Sequence, residues 1–194
     1  MSVSERIAAE GDGEKVDLNL KLNAKFQPKH RFELEDALQE ILEKREIGEI
    51  TGGGTVLTAD GEVSYCDIEI RLHGESKADL EWLTGLLNAM GIPKGSFLQG
   101  AEPEIPVGTL EGLAYYSNGV DLPEEVYQSC DINYVIEQME RAMEGIGRMY
   151  SYWEGKRETA LYFYGTSYTE MRERIAPFIA QYPLCQKCRI EQIA

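Results

Sequence analysis

The chain has no long apolar run. No stretch approaches the roughly 18 to 20 uninterrupted apolar residues of a transmembrane helix. Met1 to Asp17 is polar and charged, without the apolar centre of a signal peptide. A cytoplasmic protein that does not engage membrane is therefore expected. Histidine is scarce, with only His30 and His73, and cysteine is limited to Cys66, Cys130, Cys185 and Cys188. Four cysteines in 194 residues are too few for a disulfide-stapled secreted scaffold, so reduced thiols are expected. Basic charge is also short: 19 Lys and Arg stand against 34 Asp and Glu, a net charge of −15. A smooth anionic surface repels phosphate, which sets nucleic acid aside as a partner. The acid excess either maintains solubility or forms a patch that meets a basic protein.

Catalytic signatures are missing as well. There is no Gly-x-Ser-x-Gly, no His-Glu-x-x-His and no EF-hand loop. No catalytic residue, metal ligand or cofactor is assigned on sequence grounds.

The 43% of hydrophobic residues is enough for one large core or two small ones. Residues 1–15 lack periodic apolar positions and read as a frayed leader. Val16, Leu18, Leu20 and Leu22 then alternate with polar residues, the period of a half-buried strand. Phe32 to Ile47 has helical spacing in Leu34, Ala37, Leu38, Ile41 and Leu42. Ile50 to Thr58 and Glu62 to Leu72 are β-rich runs joined by Ala59-Asp60-Gly61, a hairpin signal. Ser76 to Met90 is helical with Ser76 as N-cap, and Ser96 to Gln99 reads as a closing strand.

Residues 100–109, with Pro103 and Pro106, read as a linker. The pattern then restarts. Leu110 to Ser117 reads as a strand and Ile132 to Glu144 as a helix. Arg148 to Trp153 and Thr159 to Tyr164 form a hairpin, Ser167 to Gln181 a helix, and Cys188 to Ile193 a last strand. The chain is thus expected to be α+β, with two tandem ferredoxin-like (βαββαβ) units over 16–99 and 110–194, each with an antiparallel sheet.

One face of each sheet meets its helices and the other is open. In the first unit Cys66, Ile68, Ile70 and Leu72 point inward, leaving Tyr65, Asp67, Glu69 and Arg71 on a polar open face beside Asn19, Lys21 and Asn23. In the second, Leu161 and Phe163 point inward, which places Tyr162 and Tyr164 on the open face near Tyr150 and Tyr152. Such a tyrosine face can pack against the other unit or a second copy of the chain, anchor a protein partner, or stack on bases, as RNA-binding sheets do, or on a small ligand, although base stacking conflicts with the charge.

Thr51-Gly52-Gly53-Gly54-Thr55 is the most unusual local feature. Its exposed backbone can meet an anion, or a bulge or close packing can explain it. It lacks the Lys-Ser/Thr of a P-loop. Cys185-x-x-Cys188 is half a zinc site at most, and does not open a helix as a redox pair does. His30 and Arg31 precede an acidic helix, and His30 with Glu35 or Asp67 could serve acid–base chemistry. Asp67 and Glu69 share a strand face without evident metal partners.

Leu22-Asn23-Ala24-Lys25-Phe26-Gln27-Pro28-Lys29-His30-Arg31, followed by Leu34-Glu35-Asp36, resembles a group of small uncharacterised bacterial proteins. Gly52-Gly53-Gly54-Thr55 and Cys66-Asp67-Ile68-Glu69-Ile70 carry the same resemblance. The group is similar in size, acidity and α+β character to immunity proteins of polymorphic toxin systems. The resemblance covers residues 16–72, implies stoichiometric binding and blocking of a toxin, and transfers no catalytic residue. The leading expectation is an acidic protein-binding module that neutralises a basic partner. A sensor holding a small molecule at the glycine segment and between the two units is second. An enzyme using His30 and nearby carboxylates is third.

Overall fold

The structure is a computed structural model that describes residues 15–74 and 76–194. The leader expected over 1–15 falls outside these residues except for Lys15.

Strand β1 (Val16–Leu22) is followed by helix α1 (Pro28–Arg45), the hairpin strands β2 (Gly48–Leu57) and β3 (Val63–Leu72), helix α2 (Lys77–Ala89) and strand β4 (Ser96–Gln99). α1 begins four residues before the sequence pattern suggests, because Pro28 lacks an N–H that the first helical turn would leave unpaired anyway. It stops where Glu46 turns left-handed (φ 59°). α2 is capped by Ser76, whose Oγ accepts from Asp79 N at 3.3 Å. Gly61 supplies the positive φ (83°) that closes the β2–β3 turn.

The second unit has the same order: β6 (Glu111–Asn118), a short α3 (Glu124–Ser129), α4 (Ile132–Ala142), β7 (Gly147–Glu154), β8 (Glu158–Gly165), α5 (Tyr168–Ile179) and β9 (Arg189–Gln192). Between the units, β5 (Ile105–Val107) pairs antiparallel with β4. Part of the segment expected as a linker is therefore a strand of the first sheet. Pro106 is tolerated there because β5 is the sheet's outer edge.

The strand orders are β2-β3-β1-β4-β5 and β7-β8-β6-β9, with antiparallel pairing throughout. In each unit the first strand lies between the third and fourth, so both are ferredoxin-like and the α+β tandem architecture stands.

Two cores result. One joins Leu20, Leu22, Ile68 and Ile70 to Leu38, Leu42, Leu83 and Leu87 of the helices. The other joins Leu113, Leu161 and Phe163 to Val135, Met139, Met171 and Ile175. The first core does not end with the first unit. It continues into Ala114, Tyr116, Ala160, Tyr162 and Tyr164, which form the open face of the second sheet.

Candidate functional site

The tyrosine face is the seam between the units. Leu161 and Phe163 do point toward the helices, so Tyr162 and Tyr164 lie on the opposite face, where they are 0% and 1% exposed. The β1–α1 segment and the β2–β3 turn of the first unit cover them. Phe26 stacks on Tyr150 at 5.9 Å and meets Tyr164 edge-on at 5.7 Å. Tyr164 Oη accepts from Lys25 N at 2.8 Å. Tyr162 and Tyr116 donate to the same oxygen of Glu62, at 2.8 and 2.9 Å, and Lys25 Nζ is 3.3 Å from it. Burial alone would raise the Glu62 carboxyl. The two hydroxyl donors and Lys25 outweigh it and hold the carboxyl below its ordinary range. Burial likewise pushes the Tyr162 and Tyr164 hydroxyls upward.

Tyr162 and Tyr164 therefore cannot anchor an outside partner, and that expectation is corrected. The physical reason is area: four aromatic rings on one face bury more apolar surface against a neighbour in the same chain than against water. The grouping of Tyr150 with Tyr152 also fails. A bulge between Met149 and Ser151 breaks the alternation, so Tyr152 pairs with Leu161 while Tyr150 stays at the seam. Tyr152 is exposed, and its carbonyl accepts from Gln27.

The glycine segment lies within β2, an outer edge strand. A side chain at Gly53 would meet the Arg31 guanidinium, the Glu35 carboxylate and, at 2.6 Å, the Asp67 carbonyl oxygen. Close packing explains this glycine. Arg31 is buried, pairs with Glu35 one turn along α1, and donates from Nε to Thr55 Oγ1 at 3.2 Å. Burial raises the Glu35 carboxyl despite the arginine. Gly52 and Gly54 face the other way: a Cβ there would meet Glu69 Oε2 at 3.0 Å and Asp67 Oδ1 at 2.9 Å. The three glycines thus make room on both faces of one strand.

His30 is not assembled into a catalytic group. Among the described residues, no hydrogen bond or ion pair joins its ring to Glu35 or Asp67, and its Nδ1 is buried without a partner. Burial lowers its pKa. Asp67 lies on the open face, bonded to Asn19 Nδ2 at 3.0 Å and 3.5 Å from Lys21 Nζ. Among the described residues, no group of three or more His, Cys, Asp or Glu side chains is arranged to hold a metal ion. Cys185 is buried at the end of a short helical turn (Pro183–Cys185), and burial pushes its thiol up to about 11.

The open face of the first sheet is laid out as the alternation predicts. Lys21 and Asp67, Asn19 and Glu69, and Asp17 and Arg71 stand opposite one another on β1 and β3. Arg71 Nε bonds Asp17 at 2.7 Å, whereas Glu69 is exposed with no salt-bridge partner among the described residues. β4 adds Phe97 opposite Lys21. Lys21, Asn23, Tyr65, Phe97 and Gln99 line a shallow hollow of about 360 Å³ at the end of this face. Lys21 Nζ lies 5.8 Å from the centre of the Tyr65 ring, which is 42% exposed. The alternation of β1 and β3 places Tyr65 and Lys21 on this face, but no sequence signal marks Phe97, because β4 is only four residues long and shows no sustained alternation.

A second concavity of about 540 Å³ lies between the units, lined by Asp60 of the β2–β3 turn and by Asn118, Asp121, Trp153, Lys156 and Arg157. The glycine segment is not part of it. Trp153 carried no signal of this role, since the cleft exists only once the units dock.

The chain matches no protein-family model and no curated protein. Among solved structures, it is similar to the first two RRM domains of yeast poly(U) binding protein. The likeness covers 92% of this chain and 99% of that chain, at 12% identity and a TM-score of 0.24. That neighbour is described as a poly(U) binding protein, and the exclusion of nucleic acid is withdrawn as a correction. Net charge was an insufficient ground: it averages over the whole surface, whereas phosphates are contacted by one face. Among the described residues, no helix is long and apolar enough to cross a membrane.

Proposed function

We propose that the protein is a cytoplasmic binding module that captures a basic protein partner on the open face of its first sheet, in the manner of a neutralising immunity protein. The observation that supports this reading is the inequality of the two open faces. The second is filled by the first unit, whereas among the described residues the first is uncovered and presents the carboxylate of Glu69, without a salt-bridge partner among those residues, beside Asp67, with Tyr65 and Phe97 at one end. Glycines at 52 and 54 keep β2 from crowding those carboxylates. Aromatic side chains supply contact area at low entropic cost, and the net charge of −15 accelerates encounter with a cation.

The test is affinity capture from native lysate at low and moderate salt with wild type, Glu69→Lys and Tyr65→Ala. A single basic protein recovered in stoichiometric amount, weakened by salt and lost with either variant, supports the proposal. Recovery of nucleic acid through Tyr65, or of a partner indifferent to both substitutions, overturns it.

The cleft beside Trp153 supports a second reading, that of a small-molecule sensor. It predicts that a metabolite raises the melting temperature of the isolated protein and that Trp153→Ala abolishes the shift.

A further inference from the structure

We infer that the cleft between the units takes a small zwitterion of amino-acid type with an apolar side chain, its ammonium facing Asp60 of the first unit and its carboxylate facing Lys156 of the second. This rests on the reading of the cleft as a small-molecule site and is independent of any partner on the open face.

The cleft lies at one end of the seam. Trp153 pairs with Ala160, which sets it on the same face as Tyr116 and Tyr162, partly buried against the core that the two units share. Its indole sits between two hairpin turns, one from each unit. A side chain at Gly155 would collide with the six-membered ring, and a Cβ at Gly61 would come within 3.9 Å of Nε1. Small residues at both turns thus leave the ring room to line the cleft. Val120, 42% exposed, adds a second apolar surface. Together they suit an apolar or aromatic group on the ligand.

The charges that line the cleft divide by what they already bind. Asp121 pairs with Arg157 at 3.4 Å, and its carbonyl accepts from Lys187 Nζ at 2.6 Å. Glu158 takes Arg189 with both oxygens, at 3.1 and 2.9 Å. Asp60 and Lys156 remain, and among the described residues neither makes a side-chain hydrogen bond or a salt bridge. They carry opposite signs and belong to different units. Trp153 Nε1, also without a hydrogen bond among the described residues, is a further donor for a carboxylate. A net anion would approach against a chain charge of −15, and a net cation would meet Lys156 and Arg157 on one turn. A zwitterion avoids both penalties and satisfies both free charges at once. By bridging Asp60 and Lys156 it also clamps one unit to the other.

Free amino acids and dipeptides share this chemistry, and the test separates them. Thermal melting and titration calorimetry of the full chain, with L-phenylalanine, L-leucine and leucyl-phenylalanine as probes, read the outcome. At a hundredfold excess over Kd the melting temperature should rise by about 5 °C or more. 3-Phenylpropionate, which lacks the ammonium, and phenethylamine, which lacks the carboxylate, should each bind about fivefold more weakly than phenylalanine. Asp60→Asn, which preserves the turn chemistry before Gly61, should weaken phenylalanine about fivefold and leave 3-phenylpropionate unchanged. Lys156→Gln should weaken phenylalanine similarly and leave phenethylamine unchanged. Both side chains are exposed, and circular dichroism checks that the variants keep the fold. The comparison of analogues uses wild type alone and stands even if a variant misfolds. A preference for the dipeptide or for the free amino acids supports the inference and identifies the source. Absence of a shift with every probe overturns it, as does phenylalanine binding indifferent to both charge variants. A shift produced only by a metabolite of another class, and lost in Trp153→Ala, overturns the ligand class while the cleft stands as a site.

Discussion

Tyr162 and Glu62 are 100 positions apart in the chain and 2.8 Å apart in space, joined by the hydroxyl's donation to Oε1. With Tyr116 and Lys25 on the same oxygen, this carboxylate is the polar centre of the seam between the two units. Glu62→Ala leaves two buried hydroxyls without their acceptor, and each unsatisfied group costs about 1–3 kcal/mol. Tyr162→Phe removes one donor while Tyr116 and Lys25 remain, and should cost about 1 kcal/mol. Urea unfolding of both variants measures the difference, and the larger loss is expected in Glu62→Ala.

The same carboxylate makes stability depend on acid. Its folded pKa lies below its unfolded one, which is about 4.3 for glutamate. The stabilisation is therefore complete above that unfolded value and fades as pH falls through the folded pKa. Glu62→Gln should flatten the pH dependence of the melting temperature below about pH 4. An unchanged acid limb would show that other carboxylates dominate.

Arg31 is 6% exposed, and its charge is matched by Glu35. Arg31→Met strands a half-buried carboxylate and the Thr55 hydroxyl, and should destabilise by about 3–5 kcal/mol. Replacing Glu35 by Met as well should recover much of that loss, because the uncompensated charge is then gone. A double-mutant cycle in denaturant separates the pair from its surroundings.

The two kinds of glycine in β2 should respond differently. Gly53→Ala drives a Cβ against the Asp67 backbone at 2.6 Å, which cannot yield, and should cost about 1–3 kcal/mol. Gly52→Ala meets only the Glu69 side chain at 3.0 Å, which can swing away. Its effect should stay within about 0.5 kcal/mol, as for ordinary surface substitutions.

Burial pushes the thiols of Cys66 and Cys185 upward, in the latter to about 11, so neither holds appreciable thiolate at neutral pH. Brief alkylation of the native protein at pH 7 should leave both unmodified, and all four cysteines should react after unfolding. Rapid labelling of Cys185 would revive a redox role for the Cys185-x-x-Cys188 pair.

Much of this molecule was determined by local sequence pattern. The alternation of Val16 to Leu22 and of Cys66 to Leu72, the helical spacing around Leu38 and Leu42, and the Asp60-Gly61 turn each fix an element, because backbone geometry imposes periods of two and 3.6 on any chain with one buried side. The order of those elements then implied the same unit twice. Even the face on which Tyr162 and Tyr164 lie followed from that alternation, since their neighbours Leu161 and Phe163 belong to the helix side. What alternation cannot report is what covers a face. The second sheet's open side is closed by Phe26 and Glu62, residues about 100 positions or more from Tyr162, and no local period carries that information. The bulge at Tyr150 escaped for a related reason: one inserted residue inverts every later side chain without marking the sequence. The sequence by itself thus settled which surfaces each unit owns. Only the docking of the two units, driven by burial of apolar area between distant residues, decided which of those surfaces was buried.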